Sequence, residues 1–149
     1  MDADVRYQRL ASQLVAHGVQ SQYIARIEGH IGAVTRIESV QAELNQDIAG
    51  ALGQSDLRVN VALAELELCK ARFERAVRES APWTRRVALV NAFNKQRALA
   101  EGRLRELLIH REACGFRRNH ILNELYPIAP KLQLPEAWPE NDTTLSASR

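Results

Sequence analysis

The stretch SQYIARIEGHIG, residues 21–32, decides the fold. It is either a short helix between two turns or the opening of a long helix that carries two glycines. Ile24, Ile27 and Ile31 recur three and four residues apart, and Val34, Ile37, Leu44, Ile48 and Leu52 continue the series. That is helical periodicity over about eight turns. Gly29 and Gly32 each cost about 1 kcal/mol relative to Ala inside a helix. Burial of Ile24, Ile27, Ile31 and Val34 returns roughly 1.5 to 3 kcal/mol apiece, so the long helix is preferred. Ala25, Gly29 and Ala33 then form a stripe of small residues where another helix comes close.

The same reading extends in both directions. Upstream, Val5, Leu10, Leu14 and Val15 make a first helix over residues 4–17, stopped by Gly18. Ser21 caps the second helix, which frays at Gly50 and Gly53. Ser55 or Asp56 caps a third, with Val59, Leu63, Leu66, Phe73 and Val77 along one stripe. SAPW, residues 80–83, stops it and starts a fourth over residues 82–114, where Pro82 stands at a tolerated first-turn position. Trp83, Val87, Val90, Leu104 and Leu108 form one apolar stripe of that helix; Leu89, Phe93, Ala100 and Leu107 form another. A helix apolar on two sides packs against two neighbours. Gly115 bends the chain, and RRNHILNELY continues helically as far as Pro127.

The connectors GQS and SAP are short enough to make successive helices antiparallel. The expected fold is all-α: an elongated antiparallel bundle, coiled-coil in character, of three long helices plus a short N-terminal one. Residues 1–126 form the bundle. Residues 127–149, with four of the five prolines, form a flexible tail.

LASQLVAHG followed by SQYIARIEG resembles, over about 20 residues, the helix-turn-helix of the lambda-repressor-like family. The resemblance implies DNA recognition with Gln20, Ser21, Gln22 and Arg26 facing the major groove. The sequence departs from the pattern: the family places a small residue about four positions before the turn glycine, whereas Ala11 precedes Gly18 by seven. The surrounding segment is also acidic, which opposes phosphate contact.

Apolar residues at 46% and charged residues at 26% are globular proportions, and aromatics at 5% with abundant Ala, Leu, Arg and Glu favour helices over sheets. No apolar run approaches the ~20 residues that span a bilayer, and the acidic opening MDADVRYQRL has no signal-peptide core. The expectation is a cytoplasmic protein with no membrane role. Cys69 and Cys114 lack CxxC spacing and read as reduced thiols.

No pattern names a reaction or a small-molecule substrate. HExxH, GxSxG and a phosphate-binding glycine loop are absent from the sequence. Glu106, His110 and Cys114 fall at i, i+4 and i+8 on one helix face, but three such side chains span about 12 Å and cannot share one ion. His17, His30 and His120 have no ligand spacing. No catalytic residue, metal or cofactor is expected.

Charge is distributed unevenly. Residues 1–69 hold five Arg and Lys against nine Asp and Glu, residues 70–120 hold thirteen against five, and residues 121–149 hold two against four. Seventeen of the twenty basic residues are Arg, whose planar fork suits both carboxylates and phosphates. Arg72, Arg75 and Arg78 lie opposite the apolar stripe of the third helix. Arg85, Arg86, Arg97, Arg103, Arg105 and Arg111 are distributed around the fourth, and Arg117 and Arg118 follow its bend. Some arginines are absorbed by helical pairing, with Glu74–Arg78, Glu101–Arg105 and Arg75–Glu79 as the pairs in register. For the rest two functions are expected. The first is a non-enzymatic adaptor that meets an acidic protein, or another copy of itself, within an oligomer or larger complex. The second is an accessory subunit that contacts the phosphate backbone of DNA or RNA. By fold-level analogy, small all-helical subunits of RNA-guided bacterial complexes and helical-hairpin adaptors of secretion machines are comparable, which suggests a bacterial or phage origin.

Overall fold

The computed structural model of the chain describes residues 2–33 and 40–134. Five helices follow one another: α1 (Asp2–Ala16), α2 (Gln22–Ala33), α3 (Val40–Arg78), α4 (Trp83–Ala113) and α5 (Ile121–Leu125). The described residues contain no strand.

Helix ends follow local chemistry. The backbone N–H of Tyr23 donates to Ser21 Oγ at 3.2 Å, so Ser21 starts α2 as the sequence suggests. At Gly18, with φ +71°, the chain turns left-handed. Val19 N–H donates to the Leu14 carbonyl at 3.0 Å and Gly18 N–H to the Val15 carbonyl at 2.9 Å. This pair of bonds satisfies carbonyls that a helix end otherwise exposes. The same pattern closes α4 at Gly115 and α3 at Ser80, the latter with φ +52°. Pro82 then precedes α4 in extended conformation, so the α3–α4 reversal at residues 79–82 is where SAPW places it.

α3 differs from the sequence expectation. It runs unbroken through Gly50, Gly53 and Ser55 for 39 residues, about 58 Å. Ser55 is not a cap: it is 2% exposed, and its hydroxyl bonds Nδ1 of His110 on α4. A hydroxyl satisfied across the helix interface has no need to turn the backbone. The GQS connector is therefore absent, and the described residues contain two long helices, α3 and α4, rather than three.

Those two helices pack against each other in antiparallel fashion. Leu52, Ser55, Val59, Ala62, Leu66, Cys69, Phe73 and Ala76 repeat at alternating spacings of three and four on α3, and Val90, Phe93, Arg97, Ala100, Leu104 and Leu107 do so on α4. These are coiled-coil seams, with small residues admitting close approach. The helix with neighbours on several sides is α3, because α1 and α2 also pack on it. Val59, Ala62, Leu63, Ala64, Leu66 and Leu68 are buried around its circumference.

The expected packing residues fall into three groups. Ile27, Leu66 and Val90 are buried in the core. Ile24, Phe73, Trp83, Val87, Leu104 and Leu108 are half-buried. Val77 is a correction: at 47% exposed it faces out, and Ala76 takes the core position because the seam, not the wider stripe, sets which side meets α4. The side chains of Ile31, Val34, Ile37, Leu44 and Ile48 lie outside the described residues.

After Gly115 the helix does not simply resume. Residues 115–120 are non-helical and α5 has five residues. Residues 127–134 then carry no regular secondary structure and lie along the helices. Arg97 Nε donates to the Ala129 carbonyl at 2.7 Å. Asn94 grips Leu132 on both sides of its peptide, donating to its carbonyl and accepting from its N–H, each at 3.0 Å. Ile128, Ala129 and Leu132 pack on the core cluster. The tail expected from Pro127 onward thus begins as a fastened strap; residues 135–149 lie outside the described residues.

Candidate interaction surface

The eleven arginines singled out in the sequence do not form one face. Arg72, Arg75, Arg78 and Arg85 are exposed at the α3–α4 reversal, with Arg86 half-buried beside them. Arg105, Arg111, Arg117 and Arg118 gather at the opposite end of α4. Arg85 and Arg111 are 26 residues apart on one helix, or about 39 Å along its axis. Arg97 and Arg103 lie between.

Besides Arg75, which pairs with Glu79, three of the eleven have polar partners within the fold. Arg97 meets Glu101 at 2.8 Å as well as the Ala129 carbonyl, and its side chain is only 18% exposed. Arg103 meets Glu106 at 3.1 Å. Arg111 donates from Nε to Asn119 Oδ1 at 3.0 Å and lies 4.9 Å from the Phe116 ring centroid. Arg97 sits in the seam with its stem buried and its head turned to the strap, an arrangement open to a long charged side chain.

Of the helical pairs read from the sequence, Arg75–Glu79 forms, at 2.8 Å. Glu74 pairs with Lys70 at 3.9 Å instead of Arg78, and Glu101 with Arg97 instead of Arg105. In both cases the carboxylate turns to the basic residue one turn towards the N-terminus, which leaves Arg78 and Arg105 without an ion pair among the described residues.

At the reversal the charges are close enough to act on one another. The Glu79 carboxyl lies below the usual carboxylate range because Arg75 hydrogen-bonds it and adds its charge, with Arg85 and Arg78 contributing further. One carboxylate thus sits in the field of three guanidinium groups drawn from two helices. Arg72, a turn further back, faces the half-buried Cys69, whose thiol is pushed up by burial and pulled partly back by that positive charge. Val77, exposed among these arginines, adds an apolar element. We refer to this end as the basic tip.

The other end combines charge with a groove of about 640 Å³. Leu104, Leu108, Leu122, Tyr126 and Ile128 line it, with Arg105, Glu101, Asn119 and Asn123 at its edges. Phe116, Ile121 and Leu125 are exposed nearby.

The helix-turn-helix resemblance meets a different use of its one basic side chain. Arg26 donates to the Leu125 carbonyl at 2.9 Å and lies 5.5 and 5.3 Å from the rings of Tyr23 and Tyr126. It joins α2 to the C-terminal segment. Tyr23 is 4% exposed and Ser21 is the helix cap, so packing and capping account for two more residues of that motif.

Sequence reasoning missed the polar junction beneath α5. Tyr126, 7% exposed, hydrogen-bonds Asp56 Oδ1 through its hydroxyl, one residue from the Ser55–His110 bond. Asn60, 1% exposed, donates to the Asp56 carbonyl at 2.9 Å. The junction fastens the C-terminal segment to α3. The residues concerned are up to 70 positions apart, and no local pattern marks them. His110 goes to Ser55, Glu106 to Arg103, and Cys114 is exposed, so the three side chains aligned by the sequence spacing diverge.

No family model, curated protein or solved structure matches the chain. No described helix is long and apolar enough to cross a membrane.

Proposed function

We propose that the protein is a non-enzymatic interaction module, an α-helical hairpin that presents its basic tip to an acidic protein surface within an oligomer or larger complex. The observation that carries this reading is the placement of exposed Arg75, Arg78 and Arg85 at one end of the α3–α4 hairpin, where Arg75 pairs with Glu79 at 2.8 Å. Arg72 and the exposed Val77 flank them. Guanidinium groups held near one another by two helices repel, and a partner carboxylate relieves that repulsion while forming charge-assisted, often bidentate, bonds. The hairpin keeps the donors on rigid elements, which lowers the ordering cost of binding.

A second reading, contact with single-stranded nucleic acid, is favoured by the other end. There Phe116 is 46% exposed beside Arg117 and Arg118, the pairing of ring and cation on which bases stack. The separation of the two basic ends argues against a continuous backbone-tracking face, so the hairpin tip takes precedence.

A fluorescent deca-glutamate peptide and a 20-nucleotide single-stranded DNA, titrated in 25 mM and 300 mM salt, separate the readings. The peptide is expected to bind at low salt and to lose at least tenfold in affinity in Arg75→Glu/Arg78→Glu/Arg85→Glu. Peptide binding unchanged by that triple variant would overturn the proposal. DNA binding abolished by Phe116→Ala/Arg117→Glu/Arg118→Glu, with no peptide binding at either salt, would install the second reading.

A further inference from the structure

A second cavity, of about 200 Å³, lies where α2, α3, α4 and the strap meet. Tyr23 of α2, Leu63 and Leu66 of α3, Phe93 of α4 and Ala129 of the strap give it apolar walls. Glu67 of α3 is the one carboxylate among its described lining residues. An apolar cavity of about 150 Å³ admits benzene, so this space suits a body the size of one small ring.

Glu67 is costly in such surroundings unless its charge is met. The Ser21 hydroxyl donates to its carboxyl and Lys70 adds positive charge, yet burial outweighs both and raises the acid above its ordinary range. Oε2 is buried and accepts no hydrogen bond among the described residues. Lys70 also lines the cavity, but its side chain is 53% exposed and its ammonium lies 3.9 Å from Glu74. It supplies charge without a bond to Oε2. A buried acceptor left in this state loses the full cost of its desolvation, and a donor brought in from outside recovers it.

We infer that this cavity is a binding site for a small primary amine with an apolar body of about one ring, whose ammonium donates to Glu67 Oε2. The apolar body packs against Leu63, Leu66 and Phe93, and the aromatic side chains Tyr23 and Phe93 favour a cation over a neutral guest. With a single carboxylate present, one ammonium is matched and a second would be buried without a partner, so the site selects monoamines over diamines. None of the arginines of the basic tip takes part, and the site stands whether or not that tip meets an acidic protein.

Amide NMR of the isotope-labelled full chain tests this with benzylamine as the probe and benzyl alcohol, which has the same ring and no charge, as its comparison. Benzylamine is expected to bind saturably and to shift the amides of Leu63, Leu66, Glu67 and Ala129 most. Benzyl alcohol is expected to bind at least tenfold more weakly, a comparison that needs no variant. Glu67→Gln keeps the shape of the side chain and is expected to lose at least tenfold in benzylamine affinity; an otherwise unchanged spectrum shows that its fold is intact. No saturable shift with benzylamine, equal affinity for benzyl alcohol, or shifts centred on Leu104, Leu108 and Leu122 would overturn the inference. So would benzylamine binding that survives Glu67→Gln, because the carboxylate would then have no part in it.

Discussion

Asn94→Ala removes a clamp whose two halves are both visible. The side-chain amide donates to the Leu132 carbonyl and accepts from the Leu132 N–H, each at 3.0 Å in part-buried surroundings. It imitates the pairing of a neighbouring strand for one residue. Each neutral bond contributes about 1 kcal/mol net, so their loss comes to roughly 2 kcal/mol. If the strap opens as a local unit, that is about a 30-fold rise in the population of its open form. Hydrogen exchange read by NMR reports it: the Leu132 amide of Asn94→Ala should exchange about 30-fold faster than in the parent chain. Amides of Leu63, Leu66 and Phe93, buried between the long helices, should keep their rates to within a factor of two or three. Asn94→Asp is a sharper version, since it retains the acceptor for the Leu132 N–H but sets a carboxylate against the carbonyl. Unchanged exchange at Leu132, or acceleration spread equally through α3 and α4, would refute the idea that the strap is held as a separate latch.

Two further outcomes follow from the fold. Gly50 lies within α3, and a methyl group added there meets nothing within 4 Å. Gly50→Ala should stabilise the protein by about 1 kcal/mol, raising Tm by roughly 2 to 4 °C; a fall in calorimetric Tm would mean that the helix breaks there after all. Glu67 is half-buried, and burial raises its carboxyl above the ordinary range, with Ser21 and Lys70 opposing. A raised acid favours the protonated folded state, so its stabilising protonation is present at low pH and is lost as pH rises from the unfolded value through the folded one. Glu67→Gln should therefore raise Tm at pH 7, change it little at pH 4 and flatten the profile between. An equal gain at both pH values would show that charge is not the cause.

The all-helical architecture was legible because its signals are local. The apolar spacing of Ile24 and Ile27, the stop at Gly18, the cap at Ser21 and the SAPW reversal each depend on residues within a turn or two of one another. The error at GQS has a definite cause. Gly53 followed by Ser55 and Asp56 looks like an end and a new beginning, but Ser55 is satisfied by His110 and Asp56 by Tyr126, residues 55 and 70 positions away. The arginine surface was legible in composition but not in layout. Helical spacing places Arg72, Arg75 and Arg78 together, whereas only the antiparallel pairing of α3 with α4 brings Arg85 beside them and sends Arg111 to the far end. Arg97 could not be recognised as a strap anchor, because its partner is a backbone carbonyl that carries no sequence signature.

The bond from Arg26 to the Leu125 carbonyl spans 99 positions and ties an early helix to the last described helix. During synthesis α1, α2 and α3 leave the ribosome long before that carbonyl exists. Until then Arg26 has neither that carbonyl nor the Tyr126 ring, only the ring of Tyr23 on its own helix. Synthesis of the Leu125–Tyr126 stretch is thus the event that closes this corner, and a chain stalled before Leu125 leaves Arg26 without those partners.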